Sequence, residues 1–151
     1  MRKIGIVLFG LVFLLGCGDD GFSFEEQLAI DVAKIDRYLE DNDLTAQVHS
    51  SSIRFIVETE GTGESPAFGD NVTVRYEGTF LDGTVFDENT DGVTFPLLNL
   101  IPAWQIMIPT MKAGGKMTIY APSGYCYGTR GNAGIAPNTN LIFEIELISF
   151  E

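Results

Sequence analysis

Apolar and polar residues alternate along several stretches of this chain, which is the pattern of strands with one face in a core and the other in water. The clearest stretch, Val72–Asp87, contains two such runs separated by the corner Leu81–Thr84. The Asp-Gly pair in that corner supplies the positive φ angles that a tight hairpin needs. The pattern therefore predicts a β-hairpin here, followed by a loop at Glu88–Gly92. Further strands are predicted at Ile53–Glu58, Val93–Leu97, Met117–Ala121 and, as the longest, Leu141–Phe150.

A helix is predicted before the first strand. Ser23 and Glu26 have the spacing of a capping box, which predicts a helix from Phe24 to about Glu40. One face of this helix carries a stripe of apolar residues. The stripe can dock on the chain's own sheet, and the alternatives are a homodimer through residues 24–41 or an arm that faces client proteins. The apolar residues that form this stripe are Leu28, Val32, Ile35 and Leu39.

A second, shorter helix lies between the strands. Ile101–Trp104 is its predicted start, since proline is tolerated in a first turn, and Pro109 limits it to about two turns. A glycine-rich loop, Pro122–Thr139, follows and is long enough to carry a function. Together these elements predict an α+β fold, in which a mostly antiparallel β-sheet wraps around one short helix, with an extra N-terminal helix.

The first sixteen residues have the character of an export signal. Arg2 and Lys3 precede an apolar run, Ile4–Leu15, that is shorter than the roughly 20 residues of a membrane-spanning helix. The run ends in Leu14-Leu15-Gly16-Cys17, which resembles the lipobox of bacterial lipoproteins. The alternative is an ordinary signal that happens to contain a cysteine. We expect lipidation at Cys17 and an exported protein, lipid-anchored to a bacterial cell envelope membrane on its periplasmic side or at the cell surface.

The predicted organisation therefore has four segments. Residues 1–16 form a lipoprotein signal peptide and residues 17–22 a tether. Residues 23–52 contain the N-terminal helix and a linker, and residues 53–151 form the main domain.

The charge balance excludes one class of partner. The chain carries 9 basic and 21 acidic residues, a net charge of −12. Removal of the signal peptide leaves seven basic residues and a net charge of −14. Such a surface repels nucleic acids and anionic lipid headgroups. No nucleic-acid partner is therefore expected.

Motifs for phosphate binding or nucleophilic catalysis are absent from the sequence. His49 has no second ligand at metal-site spacing, so no metal site is expected. Cys126 has no disulfide partner once Cys17 is lipidated. What remains is a set of aromatic residues beside predicted turns and loops, each of which alone is more often a core residue than a site residue: Tyr76, Phe86, Trp104, Tyr127 and Phe143.

Five ordered motifs connect these aromatic residues. They are Val74-x-Tyr76-x-Gly78, Leu81-Asp82-Gly83-x-x-Phe86-Asp87, Ile101-Pro102-x-Trp104, Tyr125-x-Tyr127-Gly128 and Ile135-x-Pro137-Asn138-x-x-Leu141-x-Phe143-x-Ile145-x-Leu147. In order and spacing they resemble the signatures of the FKBP family of peptidyl-prolyl cis/trans isomerases, from about residue 53 to residue 150. The resemblance implies a sheet that curls around the short helix and a proline-binding cup between the two. It also implies catalysis without a metal or a cofactor.

The resemblance assigns a role to each residue of the expected site. Trp104 would form the floor of the cup, and Tyr127 would offer its hydroxyl to a substrate carbonyl. Asp87 would organise the polar edge, and Ile135 would cover the bound peptide. The walls would be Tyr76, Phe86 and Phe143, which complete the catalytic set with Trp104, Tyr127 and Asp87. The other substrate-binding residues would be Leu100 and Ile101 at the rim, Ile135, and Phe95 or Val93 as a further pocket residue.

The implied activity is the isomerisation of Xaa-Pro bonds in proline-containing polypeptides, which would assist the folding of exported proteins. The alternative is a non-catalytic module that binds peptides or proteins with the same cup. Macrolides that mimic proline are further candidate ligands, and the departures from the family pattern at Ala103, Ile106 and Met107 bear on their affinity. We also expect that removal of residues 24–41 spares catalysis on a short peptide.

Overall fold

The computed structural model describes residues 22–151. Its helices are α1 (Phe24–Asp41) and α2 (Pro102–Met107), and short 3-10 helices cover Leu97–Asn99, Ile108–Thr110 and Ser123–Tyr125. Its strands are β1 (Gln47–Val48), β2 (Arg54–Thr59), β3 (Asn71–Phe80), β4 (Val85–Pro96), β5 (Lys116–Ala121) and β6 (Leu141–Phe150). The predicted signal peptide and the predicted lipidation site, Cys17, lie outside the described residues.

The strands form one antiparallel sheet in the order β1-β2-β5-β6-β3-β4, and α2 packs on one face of it. The inward side chains of β6 alternate as the sequence predicts, from Leu141 to Leu147, and are at most 3% exposed. Ala103, Trp104 and Met107 of α2 belong to the same core cluster. Burying each large apolar side chain contributes about 1.5–3 kcal/mol, so this interface holds α2 against the strands. The predicted α+β fold is confirmed.

Helix α1 docks on the opposite face of the sheet. Its capping box is present: the Ser23 N–H donates to Glu26 at 2.9 Å, and the Glu26 N–H donates to the Ser23 hydroxyl at 3.2 Å. Ile35 and Leu39 are buried in a cluster with Tyr120 and Ile142 of the sheet. The first of the three alternatives for the apolar stripe is therefore confirmed, and a homodimer through residues 24–41 stays a prediction. Within residues 22–151, no helix combines the length and the apolar character needed to cross a bilayer.

Two details differ from the sequence-based assignment. The segment Glu88–Gly92, predicted as a loop, belongs to the continuous strand β4, which at 12 residues is longer than the 10-residue β6. Tyr76 pairs with Asn89 and Val74 with Val93, so the intervening residues of β4 form a bulge against Arg75. A bulge leaves these residues unpaired without ending the strand. Gln47–Val48, in the predicted linker, pairs with β2 and extends the sheet.

Candidate active site

A cavity of about 300 Å³ opens between α2 and the concave face of the sheet. Of the ten residues predicted for the site, nine line this cavity, and Ile135 is the exception. One further lining residue, Asn99, was not predicted, because no motif singles out an asparagine in a short 3-10 helix. The full lining is Tyr76, Phe86, Asp87, Phe95, Asn99, Leu100, Ile101, Trp104, Tyr127 and Phe143.

Three side chains of the cavity, those of Phe86, Asp87 and Phe143, lie around Gly78. Gly78 of β3 lies opposite Phe143 of β6 and opposite Asp87 of β4. Gly78 has no side chain, and the Phe86 ring occupies the space that a Cβ would take: a Cβ built there would lie 2.6 Å from Cζ of Phe86. The hairpin therefore places Phe86 over β3, and its ring lies roughly perpendicular to that of the cavity residue Phe143.

The aromatic rings of the cavity pack edge to face. The Trp104 ring, only 4% exposed, lies 5.0 Å from Tyr76 at 79° and 5.6 Å from Phe143 at 89°. Phe86 contacts Phe143 at 5.7 Å and 88°. Each such pair contributes about 0.5–1.5 kcal/mol beyond its buried area. The chain of contacts Tyr76–Trp104–Phe143–Phe86 thus forms a stiff apolar surface.

Polar groups lie at one edge of the cavity. The Tyr76 hydroxyl donates a hydrogen bond of 2.8 Å to Oδ2 of Asp87, whose side chain is exposed. Burial, together with this hydrogen bond and the negative charge of Asp87, raises the pKa of Tyr76 to about 12. Burial also raises the pKa of Tyr127, although a hydrogen bond with Asn132 partly opposes the change. Both phenols therefore remain protonated donors at neutral pH.

This contact can be tested by titration. We expect Asp87→Ala to lower the pKa of Tyr76 from about 12 toward the ordinary value of about 10, because the acceptor and its charge are lost. The ordinary value is not reached, since burial of the ring remains. Ultraviolet difference titration against Tyr76→Phe isolates the Tyr76 signal from the four other tyrosines. An unchanged Tyr76 titration in Asp87→Ala would contradict the hydrogen bond.

Ile135 lies away from the cavity lining. It is 6% exposed and packs in the main core, and its backbone forms a bridge with Asn132 inside the long loop. Its predicted role as a cover for bound peptide stays a proposal. Val93, the alternative to Phe95 in the sequence, does not line the cavity either.

Other chemistry has little support within residues 22–151. No group of three or more His, Cys, Asp or Glu side chains is arranged to hold a metal ion there. Burial raises the pKa of the Cys126 thiol, which disfavours the nucleophilic thiolate at neutral pH. The cavity can bind an apolar ring and offer hydrogen bonds at its edge.

The sequence is similar to those of one protein family and of its members. The family described as FKBP-type peptidyl-prolyl cis-trans isomerase matches residues 62–148. The probable FKBP-type peptidyl-prolyl cis-trans isomerase FkpA of Neisseria meningitidis serogroup B is 40% identical over 103 residues, which cover 66% of this chain and 38% of that protein. The outer membrane protein MIP of Legionella longbeachae is 40% identical over 103 residues, covering 66% of this chain and 44% of that protein. The chain thus spans less than half the length of these curated relatives.

A solved structure is similar over nearly its whole length. The crystal structure of a peptidyl-prolyl cis-trans isomerase from Pseudomonas syringae pv. tomato has a TM-score of 0.72 and 30% sequence identity, and the match covers 87% of this chain and 98% of that chain. The family match at residues 62–148 includes every residue that lines the cavity. Sequence, fold and cavity agree, and the chain belongs to the FKBP-type peptidyl-prolyl cis-trans isomerase family.

Proposed function

We propose that this protein catalyses the cis/trans isomerisation of Xaa-Pro bonds, with the proline ring bound in the cavity above Trp104. The observation that carries the proposal is the character of that cavity, which is aromatic on its floor and walls and polar only at its edge. Such a site can hold a pyrrolidine ring and leave the adjoining peptide bond at the polar edge. The activities named for the relatives favour catalysis over a module that only binds.

The physical basis is the electronic change at the twisted peptide bond. Rotation about the planar bond has a barrier of about 18–20 kcal/mol, and unaided X-Pro isomerisation takes tens to hundreds of seconds. In the twisted transition state, amide resonance is lost and the charge separation of the planar amide falls. An apolar aromatic surface therefore binds the transition state more tightly than the planar substrate, which is the requirement for catalysis. A thousandfold acceleration needs about 4 kcal/mol of this difference.

Each cavity residue has a separate role in binding the substrate or its transition state. Trp104 supports the proline ring, and Tyr76, Phe86 and Phe143 enclose it. Tyr127 donates a hydrogen bond to a substrate carbonyl. Asp87 fixes the Tyr76 hydroxyl, which keeps that side of the cup rigid. The remaining substrate contacts come from Phe95, Leu100 and Ile101, with Ile135 as the residue that closes over the peptide.

A second depression, of about 210 Å³, is a weaker candidate for the substrate. It lies on the outer face of the sheet and is lined by charged side chains such as Arg75, Lys116 and Glu144. Lys116 already bridges Glu58 and Glu144 at 3.3 and 2.7 Å. A proline ring bound there would displace water from these charged side chains and offer them no hydrogen bonds in return, so the aromatic cavity fits proline better.

The cellular setting is part of the same proposal. The protein is exported, is lipid-anchored through Cys17 to a bacterial cell envelope membrane, and assists the folding of exported proteins there. Support comes from the lipobox-like sequence that ends at Cys17 and from the name of the Legionella relative, an outer membrane protein. Macrolides that present a proline-like ring are proposed as inhibitors of the same cavity.

Exchange spectroscopy on a short Xaa-Pro peptide tests the activity. We expect the purified protein to accelerate exchange between the cis and trans peptide signals in proportion to its concentration. Trp104, the single tryptophan of the chain, reports on ligand binding in parallel, and a proline-mimicking macrolide should change its emission. No acceleration at any protein concentration would overturn the catalytic proposal, and a changed emission without acceleration would favour the binding module.

A further inference from the structure

A buried carboxylate, Asp31, joins helix α1 to the loop between β5 and β6. Its side chain is 0% exposed. Its Oδ2 accepts hydrogen bonds from the backbone N–H and the hydroxyl of Ser123, at 2.9 and 2.5 Å. The Asp31 carbonyl accepts from the side-chain amide of Asn140 at 2.9 Å. Three hydrogen bonds therefore connect the helix to the loop.

The sequence position of Asp31 makes this burial informative. It lies three residues after Leu28 and four before Ile35, so it shares the apolar stripe that faces the sheet. An apolar residue there would pack as its neighbours do, whereas a buried carboxylate is unfavourable unless hydrogen bonds replace its water. Within residues 22–151, Asp31 forms no salt bridge, and its second oxygen accepts from Gln27 at 2.8 Å. Its hydrogen bonds therefore account for a carboxylate at this position.

The loop residues that bind Asp31 also hold the segment that contains Tyr127. Ser123 lies near the start of the loop and Asn140 at its end, and the Ser123 N–H also donates to Oδ1 of Asn140 at 3.1 Å. The Ser123 carbonyl accepts from the backbone N–H groups of Cys126 and Gly128, both at 2.9 Å. Because these two residues flank Tyr127, the position of Ser123 determines where Tyr127 meets the cavity.

We propose that Asp31 is a positioning residue for this loop and holds Tyr127 at the cavity through Ser123 and Asn140. The proposal rests on the isomerase function proposed above. Asp31 lies outside the residues that match the family, 62–148. The proposal predicts the opposite of the expectation drawn from the sequence alone, that removal of residues 24–41 spares catalysis on a short peptide, and that expectation stays a prediction.

The test compares Asp31→Ala with Ile35→Ala in the full chain. Ile35 lies one turn further along the same helix face and is also 0% exposed, but it packs on Tyr120 and Ile142 instead of the loop. We expect Asp31→Ala to lower kcat/KM on a short Xaa-Pro peptide by about tenfold or more, and Ile35→Ala by less than about twofold, since only the first displaces a substrate-contacting group. Both are assayed where circular dichroism shows full folding.

Asp31→Asn is the rescue variant. Its side-chain oxygen can still accept from Ser123, and its NH₂ group would face Gln27, whose own amide can turn to accept. We expect it to restore kcat/KM to within about threefold of the wild type, because the two hydrogen bonds from Ser123 are kept as neutral ones in place of charge-assisted ones. An Asp31→Asn protein as impaired as Asp31→Ala would contradict a role through hydrogen bonding to Ser123.

Amide hydrogen exchange gives a readout that does not depend on activity. We expect Asp31→Ala to speed exchange at Cys126 and Gly128, while Ile145 in β6 exchanges as in the wild type. Equal losses of kcat/KM in Asp31→Ala and Ile35→Ala, or unchanged exchange at the two loop amides, would overturn the proposal. If the wild-type protein showed no isomerase activity, the proposed function would fail, and the loop exchange would decide whether Asp31 holds the loop.

Discussion

Replacing Trp104 with leucine is expected to lower kcat/KM on an Xaa-Pro peptide by about a hundredfold, which corresponds to about 2.7 kcal/mol of transition-state binding. Leucine keeps an apolar side chain in the core but removes the flat indole face on which the proline ring would rest. It also removes the edge-to-face contacts with Tyr76 and Phe143, which contribute about 0.5–1.5 kcal/mol each. Loss of the ring contact accounts for the expected change in kcat/KM, whereas loss of the edge-to-face contacts lowers the stability of the fold.

A variant of the core that destabilises the fold without touching the cavity provides the control for Trp104→Leu. Leu147 is fully buried in β6, four residues beyond Phe143 and outside the cavity lining. Leu147→Ala should lower the free energy of unfolding by about 2–5 kcal/mol, because it leaves a cavity in the core. Its kcat/KM should nevertheless stay near the wild-type value wherever the protein is folded. If Leu147→Ala lost as much kcat/KM as Trp104→Leu at the same folded fraction, general destabilisation would explain both results, and Trp104 would have no special role.

The alternation of apolar residues was sufficient to predict most of the sheet. Strand β6 is central, with β5 on one side and β3 on the other, so its inward positions had to be apolar and its pattern was clear. Strand β4 is at the edge of the sheet, where fewer side chains are buried. Its polar and glycine residues at Glu88–Gly92 therefore have the composition of a loop although they continue the strand. Gly92 in the bulge has a φ of 104°, as residues in turns often do. Its backbone N–H donates a hydrogen bond to the side chain of Asn89.

The site was predictable to the extent that its residues follow motifs in sequence. The aromatic residues of β3, β4, α2 and β6 occur at family spacing, and they surround one cavity. Asn99 belongs to no such motif, and the position of Ile135 depends on loop closure, which periodicity does not describe. Asp31 did carry a signal, since a carboxylate at a stripe position of an amphipathic helix predicts either a buried polar contact or an interrupted face. Only the structure shows that its partners are Ser123 and Asn140.

Replacing Gly78 with alanine is expected to lower kcat/KM by between about tenfold and a hundredfold, the range for displacing a site group by about 1 Å. The new Cβ would lie 2.6 Å from Cζ of Phe86, so the ring must move from its place against Phe143. The backbone tolerates alanine otherwise, because Gly78 does not have a positive φ. We therefore expect a modest loss of stability, about 1–3 kcal/mol from overpacking, which chemical denaturation would measure.

A double-mutant cycle with Phe86→Leu tests whether Gly78 acts through that ring. Leucine is shorter than phenylalanine and withdraws the atoms that the new Cβ would contact. Phe86→Leu alone should lower kcat/KM, because a wall of the cup is lost, but adding Gly78→Ala to it should change kcat/KM little further. Contacting residues give such non-additive effects, whereas independent sites give additive ones. Additive losses in the double variant would show that Gly78 affects catalysis by another route, such as the pairing of β3 with Phe143 and Asp87 on its two neighbouring strands.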